Sequence, residues 1–220
     1  MCSSDLQAVL RQWSQANRKD PELMEAKATL NLHLGKMFKA VLAMAPAKHK
    51  LSPDRIEQFR LQLADLEGNH ERMLAIWSRR VTQDPTDDHA MTMLAFTYML
   101  TGKSNAAKGA AQKALALLDD VLAKNLTDSL IYRTRRCLVL AILGKTEEVR
   151  EELALIRTKP LCDHCQYGSC KDADIYEAVI AELSGDTEAA EKLYTAGKAA
   201  WPDEFDFISG LARLKKKGRK

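Results

Sequence analysis

Hydrophobic positions along the chain recur at helical spacing, interrupted by glycines. Before Gly102, the residues Ala90, Met91, Met93, Leu94, Tyr98 and Leu100 repeat at intervals of one helical turn. After it, Ala106, Ala107, Ala110, Ala111, Ala114, Leu115, Leu117 and Leu118 make a small-residue face. The same arrangement flanks Gly185, with Ile175, Tyr176, Val179, Ile180 and Leu183 before it and Ala189, Ala190, Leu193, Tyr194 and Ala196 after it. Both patterns predict two amphipathic helices joined by a turn. Glycine suits the turn because it enters the left-handed region without a Cβ clash and so ends the first helix. Ser104 and Thr187 are expected to cap the helices that follow.

Five Gly-plus-polar pairs mark this unit: Gly35-Lys36, Gly68-Asn69, Gly102-Lys103, Gly144-Lys145 and Gly185-Asp186. The glycines are 33, 34, 42 and 41 residues apart. The first two intervals suit a helix–turn–helix repeat of about 34 residues, and the last two imply insertions. Pro85, Pro160 and Pro202 each close a unit, since proline lacks the amide a helix needs. The pattern predicts hairpins over 21–45, 53–83, 87–124, 128–158 and 171–201. A leading amphipathic helix over 4–17 carries Leu6, Val9, Leu10 and Trp13, and a closing helix over 204–217 carries Phe205, Phe207, Ile208, Leu211 and Leu214. Residues 45–52, with Pro46 and His49, form the expected interior break.

These units resemble the tetratricopeptide repeat family. A small residue stands seven before the glycine at Ala28, Ala95, Cys137 and Ala178, with Leu61 departing. Alanine stands five after it at Ala40, Ala107 and Ala190, with Met73 and Val149 departing. Trp77 and Tyr194 give an aromatic nine after it, and Asp84-Pro85 and Trp201-Pro202-Asp203 resemble the family's closing turn. The resemblance implies an all-α, right-handed α-α superhelix of degenerate hairpins. Residues 1–20 would lead, 21–202 would hold five hairpins with a Cys-rich insertion at 159–171, and 203–220 would form a capping helix and basic tail.

It also implies a non-catalytic module that binds another protein or peptide on the concave face, lined by the first helix of each hairpin. The inward positions would be Arg55, Gln58 and Gln62 in the second unit, after Glu22, Glu25 and Thr29 in the first. His89, Thr92 and Phe96 follow in the third, Ile131, Thr134 and Leu138 in the fourth, and Asp172, Ile175 and Val179 in the fifth. This face turns from polar to apolar along the chain. Phe96, Leu138, Ile175 and Val179 could seat an apolar helix, or be filled by the closing helix itself. A clamp for a terminal carboxylate, as in chaperone-docking members, finds only Arg135 in a suitable place.

Charge refines this picture. The chain carries 33 basic and 30 acidic residues in 220. Five of the last six residues are Lys215, Lys216, Lys217, Arg219 and Lys220, so the remaining body holds 28 basic against 30 acidic. A near-neutral body argues against a broad nucleic-acid surface. Nucleic-acid regulation through the tail and the Arg133, Arg135, Arg136 cluster stands as an alternative. The acidic pairs Asp119-Asp120, Glu147-Glu148 and Glu151-Glu152 read as solvated helix faces. The start has no secretory pattern and no apolar run spans a membrane, which predicts a cytoplasmic protein with reduced thiols. A second copy could pack on the face bearing Trp13.

The densest chemistry is Cys162-Asp163-His164-Cys165-Gln166-Tyr167-Gly168-Ser169-Cys170. Cys162, His164, Cys165 and Cys170 are candidate zinc ligands, since Zn2+ takes four thiolate or imidazole donors and Cys-x-x-Cys is its usual two-ligand bite. Against this, His164 lies inside the bite and no second Cys or His pair follows. Ordinary thiols, a structural zinc, or a redox-responsive loop remain open. Metal analysis of protein purified without added zinc discriminates: about one equivalent per chain is the zinc expectation, and less than about half an equivalent counts against it. Cys137 reads as a buried small residue. Enzyme motifs are lacking. Gly102-Lys103-Ser104 imitates the end of a phosphate loop, but the first glycine of that loop is replaced by Thr97. His70-Glu71 has Leu74 where a second zinc-binding histidine would stand.

Overall fold

The computed structural model describes residues 20–33, 36–47, 50–124, 129–158, 171–202 and 204–217. Eleven helices and no strand occur among the described residues. They are α1 Pro21–His33, α2 Met37–Met44, α3 Pro53–Glu67, α4 His70–Gln83, α5 Asp88–Leu100, α6 Ser104–Ala123, α7 Ser129–Ile142, α8 Thr146–Thr158, α9 Lys171–Ser184, α10 Thr187–Ala200 and α11 Phe205–Lys217. The expected leading helix over 4–17 lies outside the described residues.

The glycine turns are as the sequence predicts. Gly68, Gly102, Gly144 and Gly185 all have φ between 65° and 83°. Gly35 lies outside the described residues. At Gly102 the amide bonds to Met99 O and that of Lys103 to Tyr98 O, at 3.0 and 2.9 Å. The same pair of bonds recurs at Gly144-Lys145 and Gly185-Asp186. Each satisfies carbonyls that a helix end would otherwise leave open.

The caps sit one residue earlier than expected. Asp186, not Thr187, accepts from the Ala189 amide at 3.0 Å. Asn69 and Asp87 do the same for α4 and α5. Ser104 is already helical, and Lys103 before it offers no side-chain bond.

The chain divides into two compact units, Met1–Glu67 and Gly68–Lys220, so the boundary falls at the turn inside the expected 53–83 hairpin. In the first unit α1 packs on α2 and α3. Leu23, Ala28, Leu32 and Ala40 are buried there, while α2 exposes Phe38, Val41 and Leu42.

In the second unit α5–α6, α7–α8 and α9–α10 are three successive hairpins. The first helix of each packs against the first helix of the next, and α4, α6 and α8 each pack on the hairpin that follows. α11 then packs on α9 and α10, where the first helix of a further hairpin would go. The repeat register has a direct physical basis. Ala95, Cys137 and Ala178, seven before each glycine, are fully buried, as are Ala107 and Ala190, five after. Small side chains there let helix backbones approach. Replacing Ala95 by leucine is expected to overpack the contact and cost roughly 1–3 kcal/mol in thermal unfolding. An unchanged melting temperature would mean that the contact has room to spare.

Candidate inner face and its closing helix

The inner positions of the hairpins are brought together in the second unit. Phe96 of α5, Leu138 of α7, and Ile175 and Val179 of α9 share one buried cluster with Phe207 and Leu214 of α11. The resemblance to the repeat family implies one inner face for the first four. What the face holds is α11.

α11 reaches well beyond the last hairpin. The Arg213 guanidinium lies 5.5 Å over the Phe96 ring of α5. Farther along, the Lys216 side chain reaches the Gly68 turn, where a Cβ on that glycine would come within 3.0 Å of its Nζ. Near its start, Phe207 lies against Gly197 of α10 so closely that a Cβ there would be 2.0 Å from the ring. One turn on, Gly210 receives the Tyr194 ring in the same manner, at 2.3 Å from a would-be Cβ. Two glycines and two aromatics therefore interlock α10 and α11.

A buried polar knot fixes the register. Glu182 of α9 accepts from the Tyr194 hydroxyl at 2.9 Å and from Arg213 Nη2 at 3.1 Å. Arg213 also donates to Ser209 Oγ at 3.2 Å and to the Tyr194 hydroxyl oxygen at 3.1 Å. Glu182 is 4% and Arg213 6% exposed. Burial raises the Tyr194 phenol well above its ordinary pKa, so it stays protonated and can donate.

The other sequence-derived positions fall as follows. Thr92 and Thr134 are buried, and the Thr134 hydroxyl donates to Ile131 O at 2.9 Å. Ile131 is exposed. In the first unit Gln58 is exposed and Gln62 half-buried, while Arg55 pairs with Glu25 and, at 3.6 Å, with Glu22 of α1.

The arginine cluster of α7 pairs with carboxylates of the same chain. Arg135 pairs with Asp88 of α5 at 2.7 Å. Arg133 and Arg136 both pair with Glu152 of α8, at 2.5 and 3.0 Å, and Arg136 also reaches Asp119 of α6 at 2.8 Å. Glu152, expected on a solvated face, is buried between two arginines. Lys103 of the false phosphate loop, at the turn between α5 and α6, pairs with Glu71 at the start of α4 at 3.1 Å.

His89 stands edge-on to Trp77, with ring centroids 5.4 Å apart. Burial, aided by the nearby Arg135 charge, lowers its pKa to about 4. Its folded pKa thus lies below the unfolded value of about 6.5, and the unfolded chain binds the extra proton between those values. This group's contribution is full above pH 6.5 and is lost as pH falls toward 4, a total of up to roughly 3 kcal/mol. His89→Phe keeps an aromatic ring against Trp77 and should flatten the slope of stability between pH 6.5 and 4 relative to the parent protein. Identical slopes would place the titration elsewhere.

Cys137 is buried, and burial pushes its thiol up to about 12, an inert state. Cys162, His164, Cys165 and Cys170 lie outside the described residues. Among the described residues no group of three or more His, Cys, Asp or Glu is placed to hold a metal, and no helix is long and apolar enough to cross a membrane.

No family model matches the chain. No curated protein matches it either. Among solved structures it is similar to a tetratricopeptide repeat protein from Parabacteroides merdae, at 13% identity and a TM-score of 0.41, over 97% of this chain and 91% of that one.

Proposed function

We propose that this protein is a non-catalytic interaction module that binds another protein through the inner face of its helical hairpins. The observation that supports this reading is the second unit's inner face. There Phe96, Leu138, Ile175 and Val179 share one buried cluster with Phe207 and Leu214 of the amphipathic helix α11, which packs on α9 and α10 and lays Arg213 over Phe96. A surface that already holds one helix has the width and chemistry of a helix-in-groove site. Within the second unit, the exposed Ile131 and the half-buried Asp172 would extend the contact.

Site-specific photo-crosslinking in the full chain tests this. Crosslinkers at Ile131 and at Asp172, both on the second unit, should trap the same partner from cell extract. A crosslinker at the exposed Lys113 of α6 should not. Equal capture at all three positions, or none at the two inner ones, would remove the inner face from consideration.

A further inference from the structure

One charged group stands in the seat of α11. Glu182 belongs to α9, part of the hairpin stack, yet the guanidinium that neutralises it comes from α11. A forked donor such as this guanidinium suits a buried carboxylate best, and α11 supplies it. The seat thus carries a readable pattern. Gly197 offers a flat seat for an aromatic ring, Tyr194 requires a residue without a Cβ above it, and Glu182 requires an arginine. α11 meets these demands with Phe207, Gly210 and Arg213, at intervals of three residues along one helix face.

α11 is also a tethered element. It follows α10 through residues 201–204 and is held in its seat by side-chain contacts. A tethered segment behaves like a ligand at an effective concentration on the order of millimolar, so a free helix must match its chemistry to displace it.

We propose that the inner face of the second unit is a receptor for an arginine-bearing amphipathic helix, that α11 occupies it as an internal ligand, and that Glu182 selects a partner helix carrying the aromatic, small-residue and arginine pattern of α11. This deepens the interaction reading above and rests on it. The test uses the chain's own helix as probe, so its failure would leave binding at other parts of the inner face standing.

The probe is a fluorescent peptide of residues 203–217, titrated into the full-length chain. The parent protein should bind it weakly, because the seat is filled. Phe207→Ala in the chain unseats α11 while leaving the receptor side intact, and should tighten peptide binding by at least about tenfold. Adding Glu182→Leu to that variant should abolish the gain, and so should Arg213→Ala in the peptide. Hydrogen exchange on the Phe207→Ala chain must show α5, α7 and α9 still protected. If those helices lose protection together with α11, then α11 is an integral part of the stack and the proposal falls. It falls equally if the helices stay protected and the peptide binds no tighter, or if binding is indifferent to Glu182 and Arg213.

Discussion

Replacing Glu182 by methionine is expected to cost about 3–5 kcal/mol, because it removes the buried carboxylate that the buried Arg213 guanidinium pairs with. The Tyr194 hydroxyl would lose its acceptor at the same time. Arg213→Met should cost a similar amount, by removing the guanidinium instead. The double variant should recover most of the loss, since two apolar side chains of similar volume can replace a buried ion pair at little net cost. What remains would be the unsatisfied Tyr194 hydroxyl, about 1–3 kcal/mol. Urea unfolding of the three variants reads this directly. Additive losses in the double variant would mean that the two side chains stabilise the fold independently and do not act as a pair.

Gly197→Ala is expected to be almost as severe, at about 3 kcal/mol, from the addition of a single methyl group. Most surface-helix glycines gain stability on this change, because alanine is the better helix former by about 1 kcal/mol. Here the new Cβ would meet the fully buried Phe207 ring at 2.0 Å, and the rigid ring has nowhere to turn. Gly109 in α6 provides the control, since a Cβ there meets nothing within 4 Å. Gly109→Ala should be neutral or mildly stabilising. In a Phe207→Ala background the Gly197→Ala penalty should largely vanish, as expected of neighbours that share one space. An equal penalty in both backgrounds would place the strain elsewhere.

Much of the fold was legible in the sequence because it depends on local chemistry. Glycine at Gly102, Gly144 and Gly185 marks a turn that other residues enter at a cost, and small residues at Ala95 and Ala178 mark backbone approaches. Those signals are confined to a few residues on either side of a bend. The residues Phe96, Leu138, Ile175 and Val179, which the family resemblance assigns to one inner face, share one buried cluster.

The sequence leaves two occupants for that face, a partner helix or the closing helix, and the polar contacts that seat α11 could not be read in the same way. Arg213 stands two residues before a run of lysines, and nothing in that local pattern marks it as buried. Its partner Glu182 is 31 residues away, and no periodicity connects them. Glu152 and the α7 arginines escaped for the same reason: their pairing spans 16 to 19 residues and depends on how hairpins stack. Gly197 and Gly210 carried a usable signal. They are glycines within otherwise helical patterns, where a conformational penalty is tolerated when a neighbour needs the space.

The reach of α11 has a consequence for how the second unit comes apart. A row of hairpins touching only its neighbours frays from its ends, one hairpin at a time. Here the last helix touches Phe96 near the front of the row and reaches the Gly68 bend that opens it. The row is thereby latched along its length by a helix that must leave before either end can peel. Amides in α11 should therefore exchange first, and those in α5, α7 and α9 only after it, instead of along a gradient from hairpin to hairpin.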